Sequence, residues 1–128
     1  MSVSLWAEGL NKRLSVEQFK TFALMTVRKQ LTKECHELEF KQDGKNNLWV
    51  GCKSAWSRGC WFSFADNSVS CITYCGRSPA DMALQDVVIH ELVEQYGGAV
   101  FDPQNYCVHK FNTKRKKWTW KALDPMEF

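Results

Sequence analysis

The spacing of the hydrophobic residues switches between a helix period and a strand period three times along this chain, and these switches limit the fold more than any other feature of the sequence. Apolar and polar side chains alternate over residues 35–40, 48–52, 60–64 and 69–75, which is typical of strands. The connections between these segments are shorter than the dozen or more residues that a parallel crossover needs. The sequence therefore predicts four strands in an antiparallel meander.

A helical period precedes the meander and another follows it. A capping box that begins at Ser15 starts the first helix, which is predicted to end near residue 33. Ser78 caps the second helix, and Pro79 takes its first position, where the missing N–H costs nothing. This helix is predicted to end at Gly97.

Three further alternating segments, residues 99–101, 106–111 and 118–122, predict two or three more strands. The expected fold class is therefore α+β: a two-layer domain with an antiparallel sheet of about six strands and two helices on one face. A curled, barrel-like sheet is the alternative. With 128 residues, the chain is expected to form one globular domain over residues 1–128.

Six cysteines can form disulfides or bind a metal ion, and the context of the cysteines in the sequence shows whether either is expected. The chain begins without a basic segment followed by an apolar stretch, and no apolar run approaches the about 20 residues of a membrane span. A cytoplasmic protein with reduced thiols and no membrane partner is therefore expected. Cys71 and Cys75 are the closest pair in sequence, but strand positions four apart are separated by about 13 Å. No metal site and no cofactor is predicted.

Two segments resemble parts of catalytic sites. The run from His90 to Glu94 is similar to the zinc-protease pattern His-Glu-x-x-His, but Glu94 stands where the second histidine is needed. Cys107 and His109 share one face of a predicted strand, as a nucleophile and its base would, but no oxyanion-binding glycine turn accompanies them. The sequence therefore predicts that the protein is not an enzyme. A small enzyme or metal protein built on Cys107 and His109, or on His90 and Glu94, is a further hypothesis. It ranks third, after the two binding functions described below.

Charge is divided between two neighbouring stretches. Residues 78–102 hold five acidic residues and no Lys or Arg, whereas residues 103–123 hold six Lys or Arg and no acid. The net charge of the whole chain is only +3. The surface is therefore expected to be polarised, with an acidic second helix and a basic C-terminal hairpin.

The basic run at the turn of that hairpin suggests an alternative function. Its cations would contact phosphates, while Trp118 and Trp120 would stack on bases. The competing interpretation is a solvated turn whose tryptophans face the core. A small nucleic-acid-binding accessory protein is therefore the alternative prediction, with the binding residues Lys114, Arg115, Lys116 and Lys117.

Aromatic and arginine side chains around the third strand of the meander indicate a protein interface. Trp56 and Arg58 precede that strand, and Trp61 alternates with Phe62 and Phe64, so it faces outward if they face the core. Trp and Arg are typical anchors of protein interfaces. The predicted partner-binding residues are these three and the acidic residues of the second helix: Trp56, Arg58, Trp61, Asp86, Glu91 and Glu94.

Residues 91–103, in which a helix ends at Gly97 and Gly98 and leads through a short strand to an Asp-Pro turn, resemble small bacterial immunity proteins. The resemblance is confined to this segment and is structural. It implies a single-domain cytoplasmic protein that neutralises a partner toxin by covering its active surface. Families of this kind share no catalytic residues that could be carried over to this chain.

The resulting prediction is a non-enzymatic protein-binding module, most specifically an immunity-type inhibitor that occludes a partner toxin or effector. An aromatic anchor, Trp56 or Trp61, would fill a pocket of the partner while charged side chains match its surface. The sequence leaves open whether the acidic helix meets a basic partner or the basic turn meets an acidic one.

Overall fold

Two helices and eight strands form the part of the chain that the computed structural model describes, which is residues 2–31, 37–53, 57–74, 76, 78–124 and 126. The helices are α1 (Val16–Gln30) and α2 (Pro79–Tyr96). The strands are β1 (Val3–Glu8), β2 (Leu38–Asp43), β3 (Asn47–Cys52), β4 (Cys60–Phe64), β5 (Ser68–Thr73), β6 (Ala99–Asp102), β7 (Cys107–Asn112) and β8 (Lys117–Ala122). The predicted α+β class with an antiparallel sheet is confirmed. The prediction of about six strands is wrong, because the described residues already form eight strands in one sheet.

The strand that the sequence did not predict, β1, lies in the middle of the sheet. The strand order is β2-β3-β4-β5-β1-β6-β7-β8, and neighbouring strands are antiparallel. β1 therefore joins the predicted meander to the three C-terminal strands. Only Leu5 and Ala7 of β1 are fully buried, which makes its local alternation a weak signal.

Both helices begin as the sequence predicts. Ser15 accepts a hydrogen bond from the N–H of Gln18, whose side chain accepts one from the N–H of Ser15. Ser78 and Asp81 make the same reciprocal pair at the start of α2. Within the described ranges, neither helix combines the length and the apolar composition that crossing a membrane requires.

The two helices contact the same side of β4. The ring of Phe19 in α1 lies 4.8 Å from that of Phe62 and 4.9 Å from that of Phe64. The thiol of Cys60 donates to the backbone oxygen of Asp81 in α2 at 3.3 Å. Because residues 60, 62 and 64 alternate along the strand, these contacts lie on one face, and residue 61 lies on the other.

Polar contacts fix α2 across the centre of the sheet. The side-chain nitrogen of Gln85 donates to the carbonyl oxygens of Val3 in β1 and Cys71 in β5, both at 3.0 Å. One turn earlier, the carboxylate of Asp81 accepts hydrogen bonds from the backbone N–H groups of Arg58 and Gly59. These bonds set the position from which the later turns of α2 reach β6 and β7.

Candidate functional site

Strands β6 and β7 bring Asp102, Cys107 and His109 together. Asp102 and Cys107 face each other across the ladder, and Cys107 and His109 are two positions apart on one strand, so the three side chains project from the same face. His90 reaches this place from α2, because its Nε2 lies 2.8 Å from Nδ1 of His109. The predicted placement of Cys107 and His109 on one strand face is therefore confirmed.

A continuous chain of polar contacts runs from α2 to Cys107. Nδ1 of His90 lies 2.7 Å from the backbone oxygen of Asp86 and 3.2 Å from its Oδ1. Nε2 of His109 lies 3.2 Å from Sγ of Cys107. The rings of His90 and His109 also stack, with centroids 5.1 Å apart. We call these four residues, Asp86, His90, His109 and Cys107, the His–Cys relay.

The α2 end of the His–Cys relay favours charged groups. Burial lowers the pKa of His90, but the hydrogen bonds and charge of Asp86 outweigh burial, so the pKa of His90 lies above its ordinary value. The hydrogen bond with His90, in turn, is the main reason that the pKa of Asp86 is lowered. An imidazolium and a carboxylate therefore stabilise each other at this end.

The β7 end of the relay favours neutral groups. Burial, followed by the positive charge of His90, lowers the pKa of His109. Burial, followed by the negative charge of Asp102, raises the pKa of the Cys107 thiol. A cysteine nucleophile needs the opposite shift, because the thiolate is the reactive form. By itself, the relay holds a protonated thiol.

Three side chains at this place present donor atoms that suit a metal ion. One donor atom from each of Asp102, Cys107 and His109 lies within 4.8 Å of the other two. Asn105 donates to Oδ2 of Asp102 at 2.8 Å and so orients the carboxylate. A sulfur, a nitrogen and an oxygen are ligands that Zn²⁺ accepts, whereas Mg²⁺ and Ca²⁺ prefer oxygen alone.

A small cavity of about 190 Å³ lies beside the two histidines and is lined by His90, His109, Trp118, Thr119 and Trp120. Trp118 is half-buried and packs edge-on against His90, with ring centroids 4.9 Å apart. Trp120 is 72% exposed. The interpretation in which both tryptophans of β8 face the core is therefore wrong for Trp120.

The predicted aromatic patch near β4 is described only in part. Trp61 is 37% exposed and lies on the face of β4 opposite to the buried Phe62, as predicted. Arg58 is exposed, and its backbone N–H is bound by Asp81 in α2. Trp56 lies outside the described residues.

One of the three acidic residues of α2 that are predicted to bind a partner is buried. Asp86 and Glu94 are exposed, but Glu91 is only 4% exposed and does not face solvent. Its carboxylate accepts hydrogen bonds from Lys29 at 3.2 Å and Gln30 at 2.9 Å, because α1 packs beside α2 at this point. Glu91 therefore joins the two helices and is not available for contact with a partner.

The four predicted nucleic-acid-binding residues lie in the turn between β7 and β8 and at the first position of β8, and all are exposed: Lys114, Arg115, Lys116 and Lys117. The side-chain oxygen of Asn112 accepts hydrogen bonds from the backbone N–H groups of residues 114 and 115, both at 3.0 Å. The side chain of Asn112 therefore orders the turn, and the four cationic side chains stay exposed.

The cysteines do not all behave as predicted. Cys60, Cys71 and Cys107 are free and buried, as expected for reduced thiols. Cys52 is disulfide-bonded, so the prediction of reduced thiols is wrong at this position. Its partner is not among the described residues, and the predicted positions of Cys35 and Cys75 also fall outside them. Spacing along the chain carries little information on which cysteines approach each other in the fold.

Sequence reasoning paired Cys107 with His109 but missed the other members of the site. The turn of four residues between Asp102 and Cys107 is a signal that could have placed these two opposite each other in a hairpin. His90 has no comparable signal, because its approach depends on where α2 crosses the sheet. The exposure of Trp120 has no local sequence signal either, because it depends on which other parts of the fold cover β8.

Comparison with protein-family models, with curated proteins and with solved structures gives no match to this chain. What the site does must therefore be argued from its own residues.

Proposed function

We propose that the protein is a non-enzymatic, protein-binding module of the immunity type, which occludes a partner toxin or effector with its C-terminal hairpin. The observation that carries the proposal is the 72% exposure of Trp120 on a regular strand. Trp is one of the side chains that are enriched among the anchors of protein interfaces. The proposed binding surface, which we call the hairpin patch, consists of Trp118, Trp120, Lys114, Arg115, Lys116 and Lys117.

The position of β8 supports this choice of surface. β8 ends the strand order, and β7 is its only strand neighbour in the described part of the sheet. An edge strand presents backbone N–H and C=O groups to which an extended segment of a partner can add. Main-chain pairing with β8 would place a partner strand alongside β8, within reach of the Trp120 side chain.

Charge indicates the nature of the partner. The cations of the hairpin patch are exposed, and residues 103–123 contain no acid that would neutralise them. The sequence left open which of the two charged regions meets the partner. The exposed Trp120 belongs to the basic one, so the proposed partner presents an acidic surface with a pocket for an indole.

A nucleic acid is the second candidate, because the same cations and the same indole suit phosphates and bases. We favour a protein because Trp118 is half-buried against His90, which leaves one indole of the hairpin free to stack. Proteins that bind single strands use several aromatic platforms along a groove.

The disulfide at Cys52 bears on the compartment in which the proposed function takes place. A cytoplasmic location was expected together with reduced thiols, and the disulfide at Cys52 counts against it, because disulfides are rare in the cytosol. An immunity protein that meets its toxin in the periplasm or at the cell surface would retain this bond. Thiol alkylation in intact cells, before lysis, distinguishes the two locations.

Affinity capture from the native host, followed by calorimetry with the purified partner, tests the proposal. Trp120→Ala is expected to weaken binding by about 30-fold or more. Trp61→Ala is the matched control. The sequence predicts Trp61 as an anchor too, but its indole lies on the opposite side of the sheet from Trp120, so the surface proposed here requires its removal to leave the affinity unchanged. Equal affinities for wild type and Trp120→Ala would contradict the proposed surface. Retention of nucleic acid that falls steeply with salt would favour the second candidate.

A further inference from the structure

We propose that Asp102, Cys107 and His109 form a zinc site, with His90 and Asp86 holding the His109 ring in place. The donor atoms come from paired positions of one hairpin, so the backbone ladder itself brings them together. This site is distinct from the hairpin patch and does not depend on what the patch binds.

The donors are close enough for side-chain movements to place them around a tetrahedral ion. With zinc–sulfur and zinc–nitrogen bonds of ordinary length, the two donor atoms lie about 3.6 Å apart. Sγ of Cys107 and Nε2 of His109 are 3.2 Å apart, and the donor atom of Asp102 is within 4.8 Å of both. The sulfur–nitrogen distance needs to widen by a few tenths of an ångström, and the Asp102 oxygen needs to approach by up to about 1 Å. Side-chain torsions of the three residues can supply these movements. The fourth position is left for water.

The contacts of His109 match those of a metal-bound histidine. Such a histidine usually donates its second ring N–H to a neighbouring acceptor, which fixes the ring and selects the nitrogen that binds the metal. Here Nδ1 of His109 faces Nε2 of His90, and Nδ1 of His90 faces Asp86. A divalent ion beside the site disfavours the imidazolium, so in the metal-bound protein His90 is neutral with its proton on Nδ1. Both Nδ1 atoms then donate along this chain, and Nε2 of His109 is left free for the ion.

The negative charges of Asp102 and of a Cys107 thiolate also favour a bound cation between them. Asp102 receives a hydrogen bond from the neutral amide of Asn105, and none of the ion pairs between described residues involves it. A carboxylate beside a thiolate is unfavourable without a positive charge between them. A divalent ion supplies that charge: the sulfur–metal bond forms, and the thiol proton leaves to solvent.

The mixed donor set favours zinc among common divalent ions. Thiolate and imidazole bind borderline ions well, and hard cations bind a sulfur ligand poorly. The three ligands that the described residues provide, with one open position, correspond to the coordination of sites that keep a water molecule. Cys107 is only 6% exposed, so the ion would sit largely beneath the surface.

Metal titration of the purified full-length protein, freed of metal with a chelator, tests the site. We expect one equivalent of Co²⁺ to produce the intense near-ultraviolet absorption of a cobalt–thiolate bond, and one equivalent of Zn²⁺ to remove it. Zn²⁺ should also raise the melting temperature, because an ion that binds only the folded protein stabilises it. Absence of the cobalt–thiolate absorption in the folded wild type would overturn the proposal.

Variants assign the absorption to these residues. Cys107→Ser should abolish it, and His109→Gln and Asp102→Asn should weaken Zn²⁺ binding more than His90→Phe, for which a loss of about 10- to 100-fold is expected. Cys60→Ala removes another free, buried thiol and is the matched control that should bind as wild type does. Circular dichroism without metal establishes that each variant is folded. Unchanged binding by Cys107→Ser would count decisively against the site.

Discussion

Oδ2 of Asp81 accepts a hydrogen bond of 2.9 Å from the backbone N–H of Arg58, so the first turn of α2 holds the loop that leads into β4. The other carboxylate oxygen accepts from the backbone N–H of Gly59 at 3.1 Å and from the hydroxyl of Ser57. The side chain therefore caps its own helix and fixes a neighbouring loop.

Replacing this carboxylate with an amide should destabilise the protein. Asp81→Asn places an NH₂ group where the loop presents only donors, and the charge that strengthens these hydrogen bonds is lost. The free energy of unfolding, measured by urea denaturation, is expected to fall by about 2–4 kcal/mol. Glu94→Gln is the matched control, because it neutralises an exposed acid on the same helix and should change stability by less than about 0.5 kcal/mol. Similar losses for both variants would contradict this role of Asp81.

The same carboxylate predicts how stability depends on pH. Burial raises the pKa of Asp81, but the hydrogen bonds from Ser57, Ser78, Arg58 and Gly59 outweigh it, so the pKa in the folded protein lies below its ordinary value of 3.8. The stabilisation is therefore complete above that value and is lost as the pH falls through it towards the lower folded pKa. The difference in free energy of unfolding between wild type and Asp81→Asn should shrink over this range. A difference that stays constant down to the acid transition would exclude the linkage.

How much of this fold could be predicted depends on how local each feature is. The capping boxes at Ser15 and Ser78 involve residues three apart, and both are found where the sequence places them. The meander follows from alternation and short connections in the same way. β1 was missed because its place between β5 and β6 is set by pairing with strands 60 or more residues away, which no local pattern records.

The candidate site also combines a local feature that the sequence predicts with a long-range contact that it does not. Cys107 and His109 were placed together because they lie two positions apart on one strand. The contact of His109 with His90 was not predictable, because it requires Gln85 and Asp81 to fix α2 on the sheet first. A helix of known sequence can cross a sheet at several positions, and the packing of both elements decides among them.

The end of α2 supplies a test of close backbone packing. Gly98 has φ of +88°, and a Cβ atom at this position would lie 2.0 Å from the backbone oxygen of Glu8 in β1. Gly98→Ala is therefore expected to lower the free energy of unfolding by more than about 3 kcal/mol, since both the left-handed backbone and the clash add to the cost. Gly44→Ala separates the two effects, because Gly44 has φ of +72° with open space around it. Its expected cost is about 1–2 kcal/mol. Equal melting temperatures for the two variants would rule out the clash.

Glu91 provides a test of the contact between the helices. Burial raises its pKa, but the hydrogen bond from Lys29 is the largest opposing effect, and the net pKa is lowered. Glu91→Ala removes the acceptor for Lys29 and Gln30 and should cost about 1–3 kcal/mol in unfolding free energy. Lys29→Gln is expected to cost less than about 1 kcal/mol, because the lysine side chain is 68% exposed and can be replaced by water. A larger loss for the lysine variant would show that the ion pair matters more than satisfaction of the buried carboxylate.

The disulfide at Cys52 sets a limit on the number of reactive thiols. The chain has six cysteines, and a bond that includes Cys52 leaves no more than four of them free. Protein purified without reductant and then denatured should therefore react with at most four equivalents of a thiol reagent, and with six after reduction. In the native state the reaction should be slow, because Cys60 and Cys71 are fully buried and burial raises the pKa of Cys71. Mass spectrometry of the alkylated protein gives the count directly. Six equivalents without reduction, from protein handled in air, would mean that Cys52 is a thiol and that the reduced state expected from the sequence extends to all six positions.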